Sequence, residues 1–224
     1  MFPKLDDYDS GDPRQLILYS WHFDLFALKE LIEFTNSGLN EKISSNIRIA
    51  QQNVGNYELY DEAMMVVQEY HSISPLAFQS FLLSLYSVVE ASLDRYCSIC
   101  QEQLSLKIKL EDFSDKGITR AISYLEKVIE TENVKSDYRW GKMRVINDLR
   151  NDLIHSSGMV TSSKKVNAYK SELGVEVVDG KVYILYENIV DIYEHINRFM
   201  VFVFSRDFTK QKKLGSGGKG TAEM

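Results

Sequence analysis

The residues best suited to chemistry lie in one short run, Asp148-Leu149-Arg150-Asn151-Asp152-Leu153-Ile154-His155, near the end of a predicted helix. Arg150 offers a permanently charged planar fork that matches two oxygens of a phosphate. His155 can accept and release a proton near neutral pH. The pair suits cleavage of RNA by its own 2′-hydroxyl, in which a base removes the hydroxyl proton and the oxygen attacks the adjacent phosphorus. The arginine would stabilise the charge that builds on the phosphate.

Helical geometry constrains how these groups can act. At about 100° per residue, Arg150 and His155 point about 140° apart, whereas Asn151 and His155 share a face. One helix therefore does not aim both groups at one phosphate, unless it unwinds at His155 or meets a second copy across a two-fold axis. The spacing favours a homodimer with a composite cleft. The alternative is that a histidine near a helix end merely caps carbonyl groups.

The composition is that of a soluble globular protein. The chain has 224 residues, a net charge of −6, 44% hydrophobic and 26% charged residues. This acidic balance argues against a broad surface that coats nucleic acid, though not against a small phosphate site. We find no run that approaches the roughly 20 apolar residues of a membrane span and no signal peptide at the start. We therefore expect a cytoplasmic protein with no membrane partner.

The two cysteines, Cys97 and Cys100, form a CxxC pair inside a strongly helical stretch. A structural zinc site needs four ligands, and no second Cys/His pair has finger-like spacing. A thioredoxin-like motif would need a preceding strand. We interpret the pair as two reduced thiols on a helix, and the sequence signals no metal or cofactor.

Helical periodicity dominates the first half of the chain. Asp12-Pro13 predicts the start of a first helix that Asn36-Ser37-Gly38 ends, and a second helical pattern runs from about residue 39 to 70. Ser74-Pro75 predicts the start of a third helix, which is the most apolar and is expected to be central. Glu90 lies in this helix and is either at a solvated edge or buried with a partner such as an arginine.

The second half changes character after Gly158. The predicted elements before it are a loop over residues 106–114, a shorter helix over 115–132 and the helix that carries the motif over 136–158. After it we predict an exposed loop over 159–173, a β-hairpin over 175–185 and a last helix over 187–208. The hairpin prediction rests on two β-rich runs around Asp179-Gly180.

These elements predict a mostly all-α fold, a bundle of about five to six helices with a small β-hairpin before the last helix. We expect a polar N-terminal arm over residues 1–11 and a single domain over 12–209. A basic, Gly-rich and disordered tail is predicted over 210–224.

Arg150-Asn151-x-x-x-His155 resembles the signature of the HEPN superfamily, an arginine, a polar residue and a histidine a few residues later. The run Leu82-Leu83-Ser84-Leu85-Tyr86-Ser87-Val88-Val89-Glu90-Ala91-Ser92-Leu93-Asp94 looks like the earlier core helix of that family, with Glu90 at its acidic position. The resemblance covers roughly residues 74–157.

The resemblance implies a helical bundle that pairs as a symmetric dimer and a metal-independent endoribonuclease, often a toxin or an antiviral-defence effector. Arg150 and His155 would be catalytic, Asn151 would orient His155 or bind phosphate, and Glu90 would pair with Arg150. RNA would be the substrate, and an antitoxin or defence-system protein a possible partner. Some members are inactive, so the alternative is a non-catalytic module that binds nucleotide, RNA or protein.

Basic residues precede the motif on the same helix, namely Arg139, Lys142 and Arg144, interleaved with Tyr138 and Trp140. They are candidates for contacts with the RNA backbone and bases. The alternative is a solvated face with core aromatic residues. A further alternative for the motif is a structural dimerisation domain in which Arg150 only pairs with Glu90.

Overall fold

The computed structural model describes residues 12–129, 131 and 133–205 of the chain. Within these residues six α-helices and one two-stranded antiparallel sheet follow one another. The helices are α1 (Pro13–Gln52), α2 (Tyr57–Gln103), α3 (Gly117–Lys127), α4 (Tyr138–Ser156), α5 (Ser163–Leu173) and α6 (Tyr186–Phe204), and the strands are β1 (Glu176–Val178) and β2 (Lys181–Tyr183). The predicted all-α bundle with a small hairpin before the last helix is confirmed. The predicted arm and tail lie outside the described residues.

The two longest helices, α1 and α2, form an antiparallel pair, and the sequence analysis placed their boundaries wrongly. The predicted end at Asn36-Ser37-Gly38 is wrong, because α1 continues through it to Gln52. One exposed glycine costs a helix about 1 kcal/mol, and buried Ile32 and Leu39 on either side of Gly38 hold both halves in the core. The actual turn comes at residues 53–56, where Asn56 caps α2 by accepting from the amide of Leu59 at 3.3 Å.

Pro75 lies inside α2, so the predicted helix start at Ser74-Pro75 is also wrong. Proline removes one backbone hydrogen bond and crowds the preceding turn. The buried residues on both sides of Pro75 nevertheless follow one helical face, with Ala63 and Val67 before it and Phe78 and Leu82 after it. Continuous packing of that face outweighs the local cost.

The hydrophobic core is one cluster that draws on every helix, with α2 at its centre. Trp21 of α1 meets Phe204 of α6 edge-on, and its indole Nε1 donates to Asn197 Oδ1 at 3.2 Å. Tyr96 of α2 contacts the same phenylalanine ring, at a centroid separation of 4.9 Å. The start of α1, the end of α2 and the end of α6 are therefore joined by aromatic packing.

Residues 163–173 form α5, where the sequence predicted an exposed loop. Ser162 caps the helix, and Gly174 ends it in the left-handed conformation, at φ +65°. The prediction failed because the helix is mostly polar and exposed, and only Tyr169 and Leu173 are buried. So short a buried stripe is easily missed in the sequence.

The predicted hairpin is confirmed around Asp179-Gly180. Both turn residues have positive φ, +51° and +78°, as a two-residue hairpin turn requires. The strands pair Val177 with Val182. The carbonyl of Val182 accepts from Gln79 Nε2 at 3.0 Å, which fastens the sheet to α2.

Among the described residues, α2 is the one helix long and apolar enough to cross a membrane by length and composition alone. One such helix is weak evidence for a membrane span. The core helix of a soluble protein passes the same test, and α2 supplies the centre of the core. Only 28% of the most apolar stretch of α2 is buried, so most of that stretch is at least partly exposed in the structure.

Candidate functional site

The guanidinium of Arg150 faces α2 and is held on three sides. Its Nη2 donates to Glu90 Oε2 at 3.3 Å, and its Nη1 donates to Asn151 Oδ1 at 3.0 Å. The arginine Cζ also lies 5.2 Å from the centre of the Tyr86 ring. The two side chains of the ion pair remain partly accessible, at 23% for Arg150 and 29% for Glu90. The motif arginine is thus fixed but within reach of solvent.

The ring of Tyr86 lies against the guanidinium of Arg150. The residue is fully buried, and its hydroxyl donates to Asn147 Oδ1 of α4 at 2.6 Å. Burial, with the Glu90 carboxylate as the next cause, raises the pKa of Tyr86 well above its ordinary value. The phenol therefore stays neutral and serves as a hydrogen-bond donor that joins α2 to α4.

The other oxygen of Glu90 is confined by the start of α3. Gly117 has φ +54°, and a Cβ built there would lie 2.6 Å from Glu90 Oε1. A residue with a side chain would be strained at this φ and would also displace the carboxylate. Glu90 is therefore positioned from both sides, by Arg150 and by a backbone that only glycine allows to approach.

His155 lies exposed near the end of α4, on a different side from Arg150. Its neighbours on the exposed face of the helix are Arg144, Asp148 and Asn151, one turn apart in succession. Asn151 is the only one of these that also contacts Arg150 among the described hydrogen bonds. The structure thus brings Arg150, Asn151 and Glu90 together and leaves His155 about 140° around the helix.

A left-handed turn and the hairpin fix the end of α4 beside His155. Ser157 and Gly158 have φ of +50° and +77°, and the Gly158 amide donates to Asp152 O at 3.0 Å. The carbonyl of Gly158 accepts in turn from the amide of Val182 at 2.9 Å. The helix therefore ends at Ser156, one residue after the histidine, and the hairpin fixes the turn that follows.

Asp152 lies in the motif, but the sequence analysis did not predict that it contacts α5. Its Oδ1 accepts from Lys165 Nζ and its Oδ2 from the Tyr169 hydroxyl, both at 2.6 Å. Burial, followed by the bond to Asp152, raises the pKa of Tyr169 well above its usual range. These bonds hold α5 against the motif helix. The signal available in sequence was the Ser162 cap and the Gly174 stop, which mark a helix that could bring both donors to α4.

The three candidate RNA-binding residues differ in availability. Arg139 donates twice to Asp137, at 2.8 and 2.9 Å, and its Cζ lies 3.7 Å from the centre of the Phe202 ring. Its guanidinium is therefore taken up by the helix cap and by α6. Arg144 is exposed and Lys142 is half-buried, so these two are accessible to a ligand.

Cys97 and Cys100 are free, fully buried thiols on α2. Burial raises the pKa of the Cys100 thiol to about 12 and that of Cys97 further. Since the thiolate is the reactive form, both groups are chemically inert at neutral pH.

Comparison with protein-family models, with characterised proteins and with solved structures finds no match for this chain. The chemistry of the site must therefore be argued from its geometry. A guanidinium beside a carboxylate and an amide can bind an anion that displaces the carboxylate. An exposed imidazole at a helix end can transfer a proton.

Proposed function

We propose that the protein is a metal-independent endoribonuclease of the HEPN type that acts as a toxin or an antiviral-defence effector. Arg150 would bind the scissile phosphate, and His155 would move the proton. The observation that carries the proposal is the contact between Arg150 and Glu90, 60 residues apart in sequence. It joins the two helical segments on which the resemblance depends, with the motif arginine on one and the acidic residue on the other.

The reaction assigns each group a step. An imidazole removes the proton from the 2′-hydroxyl, and the 2′-oxygen attacks the adjacent phosphorus. The imidazolium so formed returns a proton to the 5′-oxygen as the bond from phosphorus to that oxygen breaks, so the products are a 2′,3′-cyclic phosphate and a 5′-hydroxyl. Arg150 neutralises the charge on the non-bridging oxygens. A phosphate that reaches Arg150 competes with the Glu90 carboxylate, since both are anions for one guanidinium.

A composite site supplies the two groups from different copies. Arg150 points toward α2 and His155 toward solvent, so one protomer does not direct both at one phosphate. The exposed face of α4, with Arg144 and His155, is open to a second copy and to the backbone of RNA. Two such faces across a two-fold axis would bring each histidine to the other copy's motif helix.

A second candidate function is a non-catalytic module that binds nucleotide, RNA or protein. The observation that favours it is that Arg150 already has Glu90, Asn151 and the Tyr86 ring as partners, away from His155. Such a module binds an anion at Arg150 without cleaving it.

The test is cleavage of labelled transfer RNA and messenger RNA by EDTA-treated protein. We expect the wild type to leave 2′,3′-cyclic phosphate ends and His155→Ala to lose at least about 100-fold in rate, as removal of a general base does. Arg150→Ala should lose a similar factor. Circular dichroism checks that both variants keep their helices.

His71→Ala is the matched control, because His71 is also exposed but lies on the far part of α2. It should cleave like the wild type. Full activity in His155→Ala contradicts the mechanism. If no form cleaves but Arg150→Ala weakens saturable RNA binding, the second candidate is correct.

A further inference from the structure

One side of the α1–α2 hairpin is left uncovered. Helices α3, α4 and α6 contact the side of α2 that carries Leu82, Tyr86 and Leu93, all fully buried. The opposite side, which we call the outer face, is exposed. It is formed by Leu31 and Phe34 of α1 and by Ile73, Leu76, Ser80, Ser84, Ser87 and Ala91 of α2. Phe34 is 78% exposed and Leu76 is 55% exposed.

The α2 part of the outer face is free of charge at its centre and charged at its rim, whereas on α1 the groove at one end carries Asp24. Between residues 72 and 92 the sequence contains a single side chain that is charged at neutral pH, Glu90, and that side chain turns inward to Arg150. Charged residues return on α2 at Glu69 and at Arg95. A charge-depleted centre inside a charged rim is the composition of a protein–protein interface rather than of a solvated surface.

The serine hydroxyls of this face do not need water as a hydrogen-bond partner. Ser80, Ser84 and Ser87 each donate their hydroxyl to the carbonyl four residues earlier, at 2.9, 3.0 and 2.9 Å. Burying an unpaired hydroxyl costs a few kcal/mol, but a hydroxyl already bonded within its helix avoids most of that penalty. These side chains can therefore be covered by another helix at close range.

The face is bulky at one end and hollow at the other. The bulky end carries Phe34 and Leu76. At the other end lies a groove of about 290 Å³, which Ser20 and Asp24 of α1 line together with Ala91 of α2 and their neighbours. A face that carries both a projection and a recess fits a copy of itself turned end to end.

We propose that a second copy of this chain packs on the outer face, antiparallel, about a two-fold axis close to Ser84. Leu76 of one copy then lies over Ala91 of the other, and Phe34 enters the groove. Glu69 at the bulky end comes within about one helical turn of the other copy's Arg95 at the hollow end, so two equivalent ion pairs form and each copy supplies one member of each.

The area is sufficient for a stable dimer. From Glu69 to Arg95 the helix rises about 39 Å, and two adjacent helices present a width of about 20 Å. This gives about 800 Å² per copy, which matches the standard size of a specific interface. The interface lies on the side of α2 opposite the motif helix, so it is independent of the proposed nuclease activity and of any pairing through α4.

A cysteine at the axis gives the sharpest test. In Ser84→Cys the two new thiols face each other across the two-fold axis, so mild oxidation should produce a covalent dimer on a denaturing gel. The native cysteines do not interfere, because both are buried. Ser44→Cys is the matched control, since Ser44 is exposed on α1 outside the outer face and should not cross-link.

Leu76→Glu and Ser87→Glu should halve the mass of the assembly in sedimentation equilibrium at micromolar concentration, and the helical circular dichroism should be unchanged. A wild type that is monomeric overturns the proposal. So does an assembly whose mass neither glutamate changes, because another face must then pair. Flotation of the wild type, but not of Leu76→Glu, with zwitterionic vesicles overturns it as well, since a membrane would then be the occupant.

Discussion

The ion pair between Glu90 and Arg150 is the residue-scale feature on which the functional proposal rests. Both side chains are about a quarter accessible, so water screens part of their attraction. The pair is therefore better suited to positioning the arginine than to stabilising the fold. A site that must exchange a carboxylate for a phosphate needs such a partner, because a fully buried pair would be too costly to open.

Glu90→Gln should lower the free energy of unfolding by only about 0.5–1 kcal/mol, because the partly exposed pair contributes little and glutamine keeps a hydrogen-bond acceptor. Urea unfolding followed by circular dichroism measures the difference. Asp94→Asn is the matched control, since Asp94 accepts from Arg120 at 3.3 Å one turn later on the same helix. A loss above about 3 kcal/mol for Glu90→Gln alone would identify a structural pair and favour the non-catalytic interpretation.

Tyr169→Phe should cost about 1.5–3 kcal/mol, because it removes a 2.6 Å hydrogen bond to the carboxylate of Asp152 in a buried setting. The measurement is again urea unfolding. Tyr183→Phe serves as the control, because Tyr183 is exposed on β2. Equal effects in the two variants would mean that Asp152 does not hold α5 in place.

At the scale of elements, the start of α3 positions the acidic residue of the site. Gly117 permits both the left-handed backbone and the close approach of Glu90. Because α3 begins at Gly117, the backbone at the start of this helix can lie directly against the side chain of Glu90, which is 27 residues earlier. The position of α3 and the direction of Glu90 are therefore set together.

Gly117→Ala should destabilise the protein by about 1–2 kcal/mol, the cost of a left-handed conformation in an L-residue. Gly141→Ala should stabilise it by about 0.5–1 kcal/mol, because Gly141 lies inside α4 and a Cβ there meets nothing within 4 Å. Thermal unfolding of the two variants beside the wild type gives opposite shifts in Tm. Shifts of the same sign would contradict the role assigned to Gly117.

Element boundaries depended on which local signals the core overrides. In the sequence Gly38 predicts a helix end and Pro75 a helix start, yet both lie within continuous helices. The Asp179-Gly180 turn, in contrast, was predicted correctly because its two positive φ values are a strict local requirement. Signals that only weaken a helix are overridden by burial, and signals that a turn demands are not.

At the scale of the whole molecule, buried tyrosines link stability to alkaline pH. Burial raises the pKa of Tyr124 and of Tyr193 to about 12 each and those of Tyr86, Tyr96 and Tyr169 further. In the unfolded chain a tyrosine ionises near pH 10. The neutral form is therefore favoured in the folded state, and its stabilising contribution is complete below about pH 10 and is lost as the pH rises.

The free energy of unfolding should fall above about pH 10 by about 1.4 kcal/mol per pH unit for each buried tyrosine. Urea unfolding at a series of alkaline pH values measures the slope. The absorbance of tyrosinate, followed in the same samples, should rise together with unfolding. Constant stability through this range would mean that the tyrosines ionise in the folded state.

The sequence by itself determined the fold class, the hairpin, the motif helix and the residues whose side chains could take part in a reaction. Each of these follows from local information, namely apolar periodicity, a turn with strict dihedral demands and the side-chain chemistry of Arg150 and His155. The pairing of Glu90 with Arg150 was anticipated only through the family resemblance, because nothing in the spacing of two residues 60 apart indicates contact.

Tertiary structure alone decided which of these groups meet. It turned Arg150 toward α2 and left His155 in solvent, and it used Asp152 to hold α5 and Arg139 to hold α6. It also left the outer face of the hairpin uncovered. These outcomes depend on how helices pack at long range, where the free energy of burying the whole core outweighs the preferences of single residues.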